Sequence, residues 1–293
     1  MRLAAIDIGT NACRLLISEV ITPLNGDTIF NKLNLIRVPL RLGFDVFETG
    51  VISKTKNEMI LQTMKAYAHL MKAYKVDKSI AVATSAMRDA KNREEVVRKV
   101  FLETGINIEV ISGDFEASLI YESHIAENLN ENNNYLYVDV GGGSTELTFF
   151  SNNELVYKHS FNIGTIRLLK GIVEESEWEN MKVAIRENVK GQKDIIAIGT
   201  GGNINKVFSL SKKKEGKPLH IDLLKDYHKE FSSCSLEDRI SLFKLREDRA
   251  DVIVPALLIY IQIMKWAGIE ELLVPKIGLA DGLIQHLYAE MQT

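Results

Sequence analysis

Cysteine is scarce. The chain has only Cys13 and Cys234 and no CxxC pair, which excludes a disulfide-stapled scaffold and a cysteine-based zinc site. The six histidines (His69, His124, His159, His220, His228 and His286) are scattered without metal-ligand spacing and read as surface or helix-face residues. No GxxxxGK(S/T), HExxH or GxSxG occurs, and no GxGxxG follows a strand, so P-loop, zincin, serine-hydrolase and dinucleotide-binding chemistry lose their signatures. With 5 prolines and 19 glycines there is no Pro- or Gly-rich linker, so any domain boundary is tight. No uninterrupted apolar run approaches the roughly 18 residues of a membrane span. MRLAAIDIGTN meets an acid too early for a secretory leader. A cytoplasmic location without membrane contact is therefore expected. The net charge of −3 excludes coating of nucleic acid by bulk charge, though not a local basic pocket.

What is present is an ordinary globular composition, 46% hydrophobic and 26% charged, over 293 residues. That length suggests two domains. Leu3–Ile8 is a short apolar run ending in Asp-x-Gly and reads as a buried strand entering a turn. Arg14–Val20 and Thr28–Leu40 read as the next strands, with Pro23, Asn25 and Gly26 turning between them. Ser53–Lys75 has helical spacing, Ser79–Ala83 is a strand, Asn92–Glu103 a helix stopped by Gly105, Ile106–Ile111 a strand and Glu116–Leu129 a helix. The polar cluster Asn128–Asn134 breaks the pattern.

The same order then restarts. Tyr135–Val140 is a strand ending in Asp-x-Gly, Thr145–Phe150 and Glu154–Ser160 form a hairpin around Ser151–Asn153, Ser176–Val189 is helical, and Asp194–Ile198 is a strand running into Gly199-Thr200-Gly201-Gly202. Helices follow to about Lys265, then a strand at Glu271–Val274 and a helix from Leu279 to Met291. Placing AIDIGTNACRLLI over YVDVGGGSTELTF puts Asp7 on Asp139, Gly9 on Gly141 and Ala12 on Ser144, an offset of 132 residues. Alternating strands and helices indicate an α/β fold with mixed sheets. The repeat indicates a duplicated domain, its two lobes facing each other across a cleft. The first lobe is expected over residues 1–127, joined by the helix 279–293, and the second over 128–278.

Tight glycine turns expose backbone N–H groups and make anion nests, to which Thr, Ser and Asn add side-chain donors. Thr10 and Asn11 after Gly9, and Gly142, Gly143 and Ser144 after Gly141, are two such turns at matching places, and suggest paired phosphate grips. Each follows an acid, Asp7 or Asp139, and Glu146 lies beyond the second. Carboxylates beside phosphate repel it unless a hard cation intervenes, so Mg²⁺ or Mn²⁺ is expected, with Asp139, Glu146 and Asp7 as ligands. The alternative left open is that the two Asp residues only cap their turns.

The blocks AAIDIGTNACRLLI, VATSAMRDAKN, VISGDFEASLIYESHIA, LYVDVGGGSTELTF, IIAIGTGGNINKV and RADVIVPALLIY resemble, in order and over nearly the whole chain, the exopolyphosphatase / guanosine pentaphosphate phosphohydrolase (Ppx/GppA) family. DVGGGSTEL is the most specific of them. The resemblance implies a duplicated actin-like, ribonuclease-H-type fold. It also implies Mg²⁺-dependent removal of a terminal phosphate from polyphosphate or guanosine pentaphosphate. By the same resemblance, Glu116 is the catalytic general base and Arg88 grips phosphate. The chain departs from the family pattern at Phe115, where a second acid is usual before the Glu, at Ala12 in place of a Ser, and at Asn203 in place of a Thr. Longer members continue into a helical domain, so a short two-domain form with a preference for short chains is expected.

Two rival functions remain: a kinase of the same fold, and a non-catalytic sensor of guanosine tetra- or pentaphosphate. Ser211–Lys217, the one dense basic run, fits a solvated loop or a lure for a polyanion. Ile253–Met264, apolar and helical, fits domain core or a homodimer face.

Overall fold

The structure, a computed structural model, describes residues 1–23, 26–125, 133–152, 154–189, 191–192 and 195–292, with the backbone alone at 120–125. The Asn25 turn residue, the end of the helix expected over Glu116–Leu129, most of the Asn128–Asn134 break, Asn153 and Asp194 lie outside the described residues. The chain forms two compact units, Met1–Ala126 with Gly278–Thr293, and Glu127–Ile277.

The first unit contains β1 (Arg2–Ile8), β2 (Cys13–Ile21), β3 (Ile29–Val38), α1 (Leu42–Thr49), α2 (Lys54–Ala73), β4 (Lys78–Ala83), α3 (Ser85–Asp89), α4 (Arg93–Thr104), β5 (Ile108–Val110) and α5 (Gly113–Ile125). The second contains β6 (Asn134–Val140), β7 (Thr145–Ser151), β8 (Glu154–Phe161), α6 (Thr165–Leu169), α7 (Glu175–Asn188), β9 (Ile195–Thr200), α8 (Gly202–Ser211), β10 (Leu219–His220), α9 (Ile221–Ser233), α10 (Leu236–Phe243), α11 (Glu247–Ala250), α12 (Ile253–Ala267) and β11 (Glu271–Leu273). The chain then returns α13 (Leu279–Glu290) to the first unit.

The first sheet has the order β3-β2-β1-β4-β5, and the second repeats it as β8-β7-β6-β9-β11 with β10 added at its edge. Pairing senses of the five shared strands match as well: the first three of each sheet are antiparallel neighbours and the rest parallel, while the added β10 is antiparallel to β11. This is the duplicated actin-like, ribonuclease-H-type arrangement that the resemblance implies. The offset of 132 holds at atomic detail. Asp7 pairs with Arg14 across β1–β2, and Asp139 with Glu146 across β6–β7. The Gly9 N–H donates to Ala12 O at 3.0 Å, and the Gly141 N–H to Ser144 O at 2.9 Å.

Each unit buries its own core. In the first, Ile6, Ile8, Leu15 and Ile17 of the central strands pack with Ile60, Met64 and Tyr67 of α2. Those three residues recur at helical spacing and put one apolar stripe inward. Ser53 caps α2, accepting the Lys56 N–H at 3.2 Å. Cys13 is in this core, where burial and then the Asp7 charge push its thiol far above the ordinary range, leaving it inert at neutral pH.

In the second unit α12 runs through the core with Ile253, Leu257, Tyr260, Ile261 and Met264 buried. The stretch Glu247–Ala267 has a mean hydropathy of 1.5 and would pass for a membrane span by length and composition. Counting only uninterrupted apolar residues overlooks it, and 67% of its most apolar window is buried within the fold. Its hydrophobicity is accounted for by packing. The basic run Ser211–Lys217 is an exposed loop, where the Lys213 ammonium donates to Pro218 O and Glu215 pairs with Lys276.

Candidate active site

The two Asp-x-Gly turns are braced in the same way. In the second unit, the Thr165 and Ile166 N–H groups at the start of α6 donate to Gly141 O and Gly142 O at 3.1 and 2.8 Å, and the Arg167 Nε–H donates to Gly143 O at 2.7 Å. In the first, the Gly43 and Arg41 N–H groups donate to Thr10 O and Asn11 O at 3.0 and 2.9 Å. With their carbonyls tied down on one side, the N–H groups of Gly142, Gly143 and Ser144 find no acceptor among the described residues. A loop with tethered carbonyls and bare amides is an anion cradle.

The helices that do the bracing, α1 and α6, are 8 and 5 residues long and are not apparent in the sequence pattern. A Gly at the entrance to the second was the available signal. A Cβ on Gly164 would lie 2.5 Å from Gly142 O and from Gly143 N. Gly164→Ala is expected to lift the loop off α6 at about 1–3 kcal/mol. Phosphate release should fall by about a hundredfold, since misplacement of a binding group by an ångström has that effect. A thermal melt and a phosphate assay on one preparation check both.

Register places a row of oxygen side chains across the second sheet. Thr200 on β9 is the partner of Asp139, Asp139 that of Glu146, and Glu146 that of Ser160 on β8. Partners in register project from one face. The Ser160 hydroxyl donates to Glu146 Oε1 at 2.7 Å. Gly201, at φ 106°, follows Thr200, and a Cβ there would stand 2.9 Å from Asp139 Oδ1, so only glycine lets this backbone close on the carboxylate. Beneath, the buried Tyr260 hydroxyl donates to Val138 O and Thr200 O. Burial first, and then the Asp139 charge, raise its pKa well above the ordinary value, so Tyr260 remains a donor.

The corresponding row in the first sheet is Val82, Asp7, Arg14 and Arg37. Here the Arg14 guanidinium lies 2.7 Å from Asp7 Oδ2. Asp7 is thus held in an ion pair, and among the described residues no three His, Cys, Asp or Glu side chains form a metal-ligating cluster. Within the second sheet, Asp139 and Glu146 form a cross-strand carboxylate pair. That pair fits a hard cation that keeps most of its water and takes one or two carboxylates beside phosphate, which is the habit of Mg²⁺.

In the first unit Thr10, Ser85, Arg88 and Glu116 lie along the carboxyl ends of β1, β4 and β5, where ligands bind in open α/β sheets. Thr10 is buried and its hydroxyl is 2.7 Å from that of Ser85, while accepting the Ala86 N–H at 3.2 Å. The Thr10 hydroxyl, expected to be offered to phosphate, thus also fastens the β1 turn to α3. Asn11 contributes its carbonyl to the same bracing. Arg88, on α3, donates from Nη1 to Ile111 O at 2.7 Å, so it is fixed beside the segment that leads into α5.

Glu116 sits in the first turn of α5 and is 7% exposed. Phe115, the departure from an acidic pair, turns its ring edge to His286 of α13, with centroids 5.5 Å apart. It anchors the helix that carries Glu116, and Asp114 is exposed.

The chain is similar to known proteins in both sequence and fold. A bifunctional 3-dehydroquinate synthase/phosphatase of Fusobacterium nucleatum is 31% identical over 90% of the chain, and the chain spans 43% of that protein's length. Exopolyphosphatase 2 of Mycobacterium tuberculosis is 26% identical over 96% of this chain and 97% of its own. The crystal structure of the Aquifex aeolicus Ppx/GppA protein superposes with a TM-score of 0.78 at 26% identity, covering 100% of this chain and 99% of that one. The Ppx/GppA phosphatase family profile runs from residue 25 to residue 290, through both units and the braced turn of the second, and the chain belongs to that family.

Proposed function

We propose that this phosphohydrolase releases the terminal phosphate of inorganic polyphosphate or guanosine pentaphosphate, with Mg²⁺ or Mn²⁺ held by Asp139 and Glu146. The observation that supports it is the cradle of bare amides at Gly142, Gly143 and Ser144 bordering that carboxylate pair. The amides bind phosphate oxygens, and Arg88 adds a guanidinium suited to two oxygens at once. Glu116 accepts a proton from the attacking water. The water oxygen bonds to phosphorus, the anhydride P–O bond breaks, and the shortened chain leaves with its oxygen. A bound divalent cation would neutralise phosphoryl charge that two nearby carboxylates otherwise repel.

Phosphate release from polyphosphates of graded length, guanosine pentaphosphate, ATP and pyrophosphate, with and without Mg²⁺, tests the assignment. Release from the first two with Mg²⁺ is expected. Turnover only with an acceptor would make it a kinase, and tight binding without release a sensor.

The chemical inequality of the two sheets gives a second expected result. Asp139→Asn should raise the Mg²⁺ concentration needed for half-maximal rate by about tenfold or more, since ligand and outer-shell changes typically cost 10–100-fold in metal affinity. Asp7→Asn should shift it little, because that carboxylate answers to Arg14. Equal shifts in Mg²⁺ titrations of the two variants would count against the assignment.

A further inference from the structure

Thr200 is 0% exposed, and its Oγ1 has no hydrogen-bond partner among the described residues. A buried hydroxyl is nearly always satisfied. One without a partner costs stability that an apolar side chain of the same shape would not. Packing does not demand a hydroxyl at this place. The equivalent position of the first sheet, in register with Asp7 as Thr200 is with Asp139, is Val82, also 0% exposed. Valine differs from threonine by one methyl for one hydroxyl and is the better strand residue when buried. The Thr200 hydroxyl is therefore left for a group that the described residues do not supply.

Its surroundings identify the class of that ligand. Thr200 stands beside Asp139, which stands beside Glu146, and the β9 turn closes on the Asp139 carboxylate at Gly201. A neutral oxygen in line with two carboxylates suits a hard divalent cation and its waters. We propose that the Thr200 hydroxyl completes the cation site as its third protein side-chain oxygen, fixing the shell that Asp139 and Glu146 hold. This rests on the assignment of that pair as cation-holding.

The experiment compares Thr200→Val, Thr200→Ser and Asp139→Asn with the wild type. Mn²⁺ binding to the full chain, read by the electron paramagnetic resonance of free Mn²⁺, is measured beside the melting temperature without metal. Thr200→Val is expected to melt at or above the wild-type temperature and to bind Mn²⁺ about 10–100-fold more weakly, the range found for groups that orient metal ligands. Thr200→Ser should bind within a few-fold of wild type, because it keeps the hydroxyl. Should Thr200→Val not fold, Thr200→Ala serves the same comparison. Wild-type Mn²⁺ affinity in Thr200→Val, with affinity lost in Asp139→Asn, overturns the role of Thr200 alone. Wild-type affinity in Asp139→Asn as well overturns the cation assignment beneath it. A lower melting temperature with unchanged Mn²⁺ affinity marks the hydroxyl as structural and also overturns the proposal.

Discussion

Glu116→Gln is expected to lower phosphate release by about 10²–10⁴-fold, the usual worth of a general base, while leaving ligand binding close to wild type. The amide keeps the shape of the carboxylate and its capacity to hydrogen-bond, and loses only the ability to take the proton from water. The position suits the role. Glu116 is in the first turn of α5, where helix N–H groups favour a negative charge, and it is 7% exposed, so its orientation is fixed by its neighbours. Single-turnover release, with binding of unhydrolysed polyphosphate measured on the same variant, separates chemistry from affinity. Wild-type turnover in Glu116→Gln would assign the base to another residue.

Much of this site was legible because the sequence states one thing twice. Asp7 over Asp139 and Gly9 over Gly141 needed no structure, and the register of both hairpins follows from that alignment. The strands β1 and β6 were legible because each is a short apolar run ending in Asp-x-Gly, whereas β10, only two residues long, was not. What stayed hidden depends on contacts between distant segments. Nothing at Leu42–Thr49 or Thr165–Leu169 has enough length for helical periodicity to show, yet these helices hold the carbonyls of both turns. The Thr10 hydroxyl looked available from sequence because its partner, Ser85, is 75 residues away. Thr200 looked like part of a glycine turn until the pairing of β9 with β6 set it beside Asp139.

The duplication also shows how one scaffold supplies two chemistries. Position by position, the first sheet offers Val82, Asp7, Arg14 and Arg37 where the second offers Thr200, Asp139, Glu146 and Ser160. The backbone bonds of the turns are common to both, so the difference lies in side chains alone. The first row cancels its acid with a guanidinium, and the second adds a second acid and two hydroxyls. Under the cation assignment proposed above, the second row is the one whose charge suits it.

The largest effect on the fold is expected at Gly282. Inside a helix, Gly normally costs about 1 kcal/mol relative to Ala, so a glycine in the middle of α13 calls for a reason. A Cβ on it would lie 1.9 Å from Leu119 O and 2.7 Å from the Leu119 carbonyl carbon. The neighbour is the backbone of α5, not the end of a flexible side chain, so it cannot step aside without the helix moving. Gly282→Ala should therefore reverse the usual sign and destabilise by about 3 kcal/mol or more, the upper range of overpacking, which lowers the melting temperature by on the order of 10 °C. Activity should fall with it, because Leu119 is one turn beyond Glu116 and α5 moves as a unit. Gly278→Ala is the control: no atom of the described residues lies within 4 Å of a Cβ there, and its melting temperature should change little. If Gly282→Ala melts with the wild type, α13 and α5 do not approach at this residue, and the packing that fixes Glu116 must come from Phe115 against His286 instead.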